Sequence, residues 1–326
     1  MNRKQVIEDI KYGRIYSSTL TVYTALSAIQ DLCNTSSSLN SLRKEFTAFA
    51  KEVIKARPTS AMLQNSLKEV AIIILKNLKE GRELKETRKA VKEKIRDIMK
   101  TYDENNKQAS LIASRRLSDG DTVLTISYSK LVYETFKMAA DEGKTLRVIV
   151  LESRPGSEGV KLAEEISELG FKVTLIVDSA ARFIMKEVDK VLVGSEALAA
   201  NGALINKVGT SLVALSAHEA RVRLFTLAPT HKISHETFLG ELVELMEADP
   251  ASLYHVPENF KDNIKVWAPL FDVTPPEYID AIITEKGLLA PQAIPLVVAE
   301  TYGWPPKIQT LDSVLEELGK YGDDDF

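Results

Sequence analysis

One cysteine, Cys33, stands in 326 residues, so no disulfide can form within the chain and a reducing compartment is expected. No uninterrupted apolar run is long enough to span a bilayer, and no membrane partner is expected. The opening stretch MNRKQVIEDIKYGR lacks the apolar centre of an export signal, which adds a cytoplasmic location to the expectations. A positive excess is missing too. The 42 Lys and Arg are outnumbered by 46 Asp and Glu, and a formal charge of −4 argues against direct nucleic-acid binding. The histidines (His218, His231, His235 and His255) show no metal spacing with acidic or cysteine partners, so neither metal nor cofactor is expected.

What remains is a globular composition, 44% hydrophobic and 27% charged, at a length that accommodates two domains. Residues 1–108 read as a helical N-terminal domain. SSTLTVYTALSAIQDLC and SAMLQNSLKEVAIIILKNL repeat apolar residues at three- and four-residue spacings. ELKETRKAVKEKIRDIMKTY does the same with Glu and Lys between, the pattern of a solvated helix face. Arg57-Pro58-Thr59 marks a break before a new helix.

Residues 109–326 change character. DTVLTIS, TLRVIVLE, KVTLIV, KVLVGS and VRLFTLA are short runs rich in Val, Ile and Leu, separated by amphipathic segments such as KLVYETFKMAADEG and EGVKLAEEISELG. Strands alternating with helices imply a doubly wound, mostly parallel, Rossmann-like α/β sheet covered on both faces. Ligands of such sheets lie outside the carboxyl ends of the strands. That rule points to Ser127, Glu152 to Arg154, Asp178, Ser195 to Glu196, and the loop Asn201–Thr210.

Within that loop, Asn206-Lys207 is followed by Gly209-Thr210-Ser211. A glycine lets backbone approach a ligand, a helix start offers amides, and a lysine adds charge; together they suit a phosphate, although an ordinary loop is an equal reading of the same residues. No Gly-x-Gly-x-x-Gly follows the first strand, so this is not the dinucleotide fingerprint. Arg154 precedes a proline turn with Glu152 beside it, as a ligand group or a surface ion pair. FDVTPPEYIDAIITEKG reads as a Pro-Pro turn followed by a strand, with Asp272 and Glu285 either ordering the pocket rim or capping backbone.

TISYSK, ESRPGSEG, GSEALAANGALINKVGT, AHEA and FDVTPPEYIDAIITEKG, with Arg57-Pro58-Thr59, together resemble the initiation factor 2B alpha/beta/delta family. That family also holds isomerases acting on ribose 1,5-bisphosphate and methylthioribose 1-phosphate. The resemblance covers nearly the whole chain and implies a helical lobe, a Rossmann-like domain and a homodimer formed through the latter. It implies phosphate contacts at Arg57, Arg154, Asn206 and Lys207, beside Gly209 and Thr210. It also places Ser127 where the isomerases carry a cysteine, Glu196 where they carry an aspartate, and Glu158 where they carry a glutamine. A hydroxyl gives up a proton far less readily than a thiol of pKa about 8.5.

From this the first reading is a non-catalytic, alpha-type regulatory subunit that binds the initiation factor 2 alpha subunit and senses a sugar phosphate or nucleoside monophosphate. The alternative is a sugar-phosphate aldose–ketose isomerase, with Glu196 and a water or Ser127 moving protons. A small-molecule sensor unconnected with translation is the third. The apolar segments LIASRRLSDGDTVL and PQAIPLVVAETYGW are read as exceeding what one core needs, in support of the homodimer.

Overall fold

The computed structural model describes residues 2–15, 17–304 and 306–321. The chain begins with helices α1 (Arg3–Lys11), α2 (Ser18–Thr35), α3 (Leu39–Ala56), α4 (Ala61–Lys79) and α5 (Leu84–Ser114). It continues through β1 (Thr122–Ile126), α6 (Lys130–Asp141), β2 (Arg147–Leu151), α7 (Glu158–Glu168), β3 (Lys172–Ile176), α8 (Ala181–Ile184) and β4 (Lys190–Val193). Next come β5 (Ala197–Leu198), β6 (Leu204–Lys207), α9 (Thr210–Ala220), β7 (Arg223–Leu227) and β8 (Phe271–Thr274). The last elements are β9 (Ala281–Thr284), β10 (Gly287–Leu289), α10 (Ile294–Tyr302) and α11 (Leu311–Lys320).

Asn2, Ser17 and Ser38 open α1, α2 and α3 by accepting hydrogen bonds from the backbone of Lys4, Leu20 and Ser41, which is how short polar side chains satisfy the free amides of a first turn. Val22, Leu26 and Ile29 of α2 meet Leu42 and Phe46 of α3, Leu63, Leu67 and Ile74 of α4, and Val91, Ile95 and Ile98 of α5 in one core. Leu311, Val314, Leu315 and Leu318 of α11 belong to that same core. Arg43 fastens the helix by donating to the Leu318 carbonyl and, at 2.7 Å, to the Gly319 carbonyl. The expected boundary at 108/109 therefore falls inside α5, and the helical lobe is completed by a segment from the far end of the chain. Residues 322–326 of the expected second domain lie outside the described residues.

The large sheet has the order β10-β9-β7-β4-β1-β2-β3, with β10 antiparallel and the other pairs parallel. The period of two in a strand sends Leu124, Ile126, Ile149, Leu151, Val191 and Val193 to one face. Val123, Val148, Val150 and Leu192 go to the other, under Phe136 of α6 and Leu162 and Ile166 of α7. All five strands expected from the apolar runs form, and the doubly wound α/β class holds. The second sheet, antiparallel β5-β6-β8, was not visible in the sequence: β6 occupies much of what reads as the Asn201–Thr210 loop. No helix among the described residues is long and apolar enough to cross a membrane.

Candidate functional site

A cavity of about 410 Å³ opens where the helical lobe meets the carboxyl ends of the strands. Arg57, Ser127, Glu158, Glu196, Asn206 and Lys207 all line it, joined by Lys232 and by Ser17 and Ser18 at the start of α2. Those residues singled out in the sequence are thus brought together, whereas Glu152, Arg154, Asp178, Gly209, Thr210, Asp272 and Glu285 do not line the cavity. Arg154 is exposed, and its guanidinium reaches the Ser252 carbonyl at 3.3 Å.

Ser127 and Ser153 follow the adjacent strands β1 and β2, both with left-handed backbone (φ 63° and 69°). The Ser127 amide donates to Ser153 Oγ at 2.6 Å, and Asp178 after β3 accepts from the amides of Ser153 and Arg154. Three neighbouring strand ends are tied in this way, and the turn that carries Ser127 is held over the cavity.

Glu196 follows β4 and is buried against Arg57, the residue that ends α3. Two parallel contacts join them, Nε to Oε1 at 2.9 Å and Nη2 to Oε2 at 3.0 Å. Arg57 Nη1 also donates to Thr21 Oγ1 and the Ile15 carbonyl. Burial pushes the Glu196 carboxyl up, but the Arg57 guanidinium and, more weakly, the Lys232 ammonium outweigh it and hold the group below its ordinary value. Arg57, expected as a phosphate contact, thus serves first as the counter-ion of Glu196.

Asn206 and Lys207 close β6. Asn206 Nδ2 donates to Thr210 Oγ1 at 3.1 Å, and that hydroxyl donates to the Lys207 carbonyl at 2.6 Å. The Lys207 ammonium lies 2.7 Å from Glu158 Oε1. The Gly209 helix start, expected to offer its amides to phosphate, gives them to Asp272 instead. The amide of Gly209 donates to Asp272 Oδ2 at 2.7 Å and that of Ser211 at 3.1 Å. Burial raises the Asp272 carboxyl to about 6, with the two amides pulling the other way. Gly209 and Thr210 therefore build the perch of Lys207, with a backbone φ of 99° at Gly209 that favours glycine.

Lys232 had no signal in the sequence. It lies in the turn after β7, where Thr-His-Lys shows no spacing that marks chemistry. The fold buries it almost completely, its ammonium donating to the Ser195 carbonyl and, at 3.3 Å, to Ser18 Oγ. Burial lowers it to about 8, opposed by the nearby Glu196 carboxylate and helped by Arg57. The turn is clamped by Asn65 of α4, which donates to the carbonyls of His231 and Ile233, and by Tyr102 of α5, stacked on His231 at 4.1 Å. Glu285 accepts from the Thr230 amide at 3.0 Å. Both rim carboxylates, Asp272 and Glu285, cap backbone. Among the described residues no group of three or more His, Cys, Asp or Glu is placed to hold a metal ion.

The chain matches the model of the initiation factor 2 subunit family over residues 14–291. It belongs to that family. The ribose 1,5-bisphosphate isomerase of Thermococcus kodakarensis is 36% identical over 93% of this chain and 95% of its own length. That of Methanocaldococcus jannaschii is 38% identical over 93% and 96%. Among solved structures, the Pyrococcus horikoshii translation initiation factor eIF-2B superposes with a TM-score of 0.77 at 26% identity, covering 89% of this chain and 98% of its own. The first reading, a non-catalytic regulatory subunit of a translation factor, is overturned by the isomerase relatives, which are more similar in sequence over nearly the whole chain. With it goes the ground for expecting the initiation factor 2 alpha subunit as partner.

Proposed function

We propose that the protein is an aldose–ketose isomerase acting on a pentose esterified with phosphate at C1. The observation that carries the reading is the convergence of an ionised carboxylate, Glu196, and a lysine brought down to about 8, Lys232, in one cavity. The names of the relatives supply the substrate class.

A sugar esterified at C1 cannot open to a free aldehyde, since its anomeric oxygen belongs to the phosphate. Its conversion to a ketose breaks the bond between C1 and the ring oxygen, moves the hydrogen on C2 to C1, and removes the proton of the C2 hydroxyl. Glu196 accepts that proton; each of its oxygens has a lone pair beyond the one Arg57 uses. The Lys232 ammonium gives a proton to the departing ring oxygen. One proton enters the protein and one leaves, so substrate and product are isomers and no redox partner is consumed. Ser127 orients by hydrogen bonding, its hydroxyl being far too weak an acid to replace a thiol. Arg57 holds Glu196 ionised but also makes it a weak base, so turnover is expected below the ordinary enzymatic value of about 10 per second. The test is nuclear magnetic resonance of ribose 1,5-bisphosphate and ribose 1-phosphate incubated with the protein. Ketose formation supports the reading, and no conversion of either at high enzyme concentration overturns it.

We also propose a homodimer through the α/β domain. The segment LIASRRLSDGDTVL is spent on the chain's own core, where Ala113, Leu117, Val123 and Leu124 are buried. The support comes from elsewhere: Phe183 of α8 is 74% exposed, and Leu212 and Leu215 of α9 and Val273 of β8 are exposed on elements packed together. Light scattering should give twice 36.2 kDa, and Phe183→Glu with Leu212→Glu should return a monomer.

A further inference from the structure

One end of the cavity is already neutralised by the protein itself. Lys207 is a cation suited to a phosphate, yet its side chain is 6% exposed and paired with Glu158, whose side chain is 21% exposed. Only one carboxylate oxygen is used. Glu158 Oε2 is buried and has no hydrogen-bond partner among the described residues. A buried acceptor without a donor is unfavourable, and at the wall of a cavity the donor is supplied by whatever fills it.

The local chain is shaped for this placement. Glu158 is the first residue of α7, where the helix dipole favours a carboxylate. The preceding Gly156 leaves the space it needs: a Cβ at position 156 would lie 2.4 Å from Glu158 Oε1 and 2.7 Å from its Cδ. The carboxylate folds back over residue 156 onto Lys207, and any side chain there would displace it.

We propose that Glu158 is a specificity residue that makes this pocket selective for a pentose carrying one phosphate, with a hydrogen-bond donor, a hydroxyl or an ammonium group, at the Lys207 end. The inference rests on the phosphosugar reading above and narrows it. A hydroxyl donates to Oε2 without disturbing the ion pair. A second phosphate at that end meets the Glu158 charge beside a Lys207 whose charge is already matched, and like charges placed together in a desolvated site are a strong means of rejection. Of the other ammonium groups of the lining, Lys232 is the proton donor, which leaves Lys11 and Lys130 to serve a single phosphate.

Calorimetric titration of the full chain with ribose 1-phosphate, ribose 5-phosphate and ribose 1,5-bisphosphate tests this. The wild-type protein should bind ribose 1-phosphate at least about tenfold more tightly than the bisphosphate. Glu158→Gln should remove or invert that preference by raising bisphosphate affinity. Gly156→Ala, which expels the carboxylate and leaves its charge in the chain, should shift the ratio the same way. A wild-type preference for the bisphosphate, or a ratio unmoved by both substitutions, overturns the inference while the phosphosugar reading stands. Failure of all three sugars to bind wild type and variants overturns both.

Discussion

Two ion pairs share one cavity and differ in what they can do. Arg57–Glu196 spans the helical lobe and the α/β domain, uses both carboxylate oxygens, and is buried at both ends. Lys207–Glu158 lies within the α/β domain, uses one oxygen and leaves the other without a donor. The first is a strut that fixes the proposed base Glu196 in the cavity, since a guanidinium fork fixed on a carboxylate sets a distance and an angle. The second is a contact that a ligand can enter. Placing charge in a pocket is therefore not the same as offering charge to a substrate, and the geometry of each pair separates the two.

The sharpest way to break this comparison is to remove each cation. Arg57→Ala leaves Glu196 buried without its partner and should lower the unfolding free energy by about 3–5 kcal/mol, read from urea denaturation. Lys207→Ala, opening a single-point pair whose acid is partly exposed, should lower it by less, about 1–2 kcal/mol. Equal losses would mean that both pairs are struts.

Next in size is the effect of Lys232. Activity should fall as pH rises through about 8, where the buried ammonium loses its proton. Lys232→Met should remove that limb from the pH–rate profile and lower turnover by about a hundredfold or more. A limb that persists in the variant would assign the proton to another group.

A further effect, confined to acid pH, concerns Asp272 beneath the Lys207 perch. Its folded value of about 6 lies above its ordinary 3.8, so the native state holds this proton more tightly than the unfolded chain. The stability it contributes is fully present below 3.8 and is lost as pH rises through about 6. Asp272→Asn should flatten that part of a stability profile measured by urea denaturation, and an unchanged slope would trace it to another carboxyl.

Much of this was legible in the sequence, for a definite reason. The five parallel strands are continuous apolar runs because both faces of the sheet are covered, and the residues just beyond them fall at the ligand-binding edge whatever they are. Ser127, Glu196, Asn206 and Lys207 were found that way. The partners of those residues were not. Glu158 with Lys207, and Asp272 with the Gly209 amide, are pairs across long sequence separations that no local pattern records. Lys232 was invisible because its burial comes from α4 and α5, far away in the chain. The β5-β6-β8 sheet escaped because β5 has two residues, too few for alternation to show.

The return of α11 to the first core has a consequence for how the protein is made. α2 through α5 are synthesised first, yet the groove that takes Leu311, Val314, Leu315 and Leu318 stays unfilled until nearly the whole α/β domain has been translated. A domain that normally folds as it emerges from the ribosome is here left with an apolar opening during synthesis. The helical lobe should therefore reach full protease resistance only after residue 320 has cleared the exit tunnel, which ties completion of the pocket wall carrying Arg57 to the synthesis of α11.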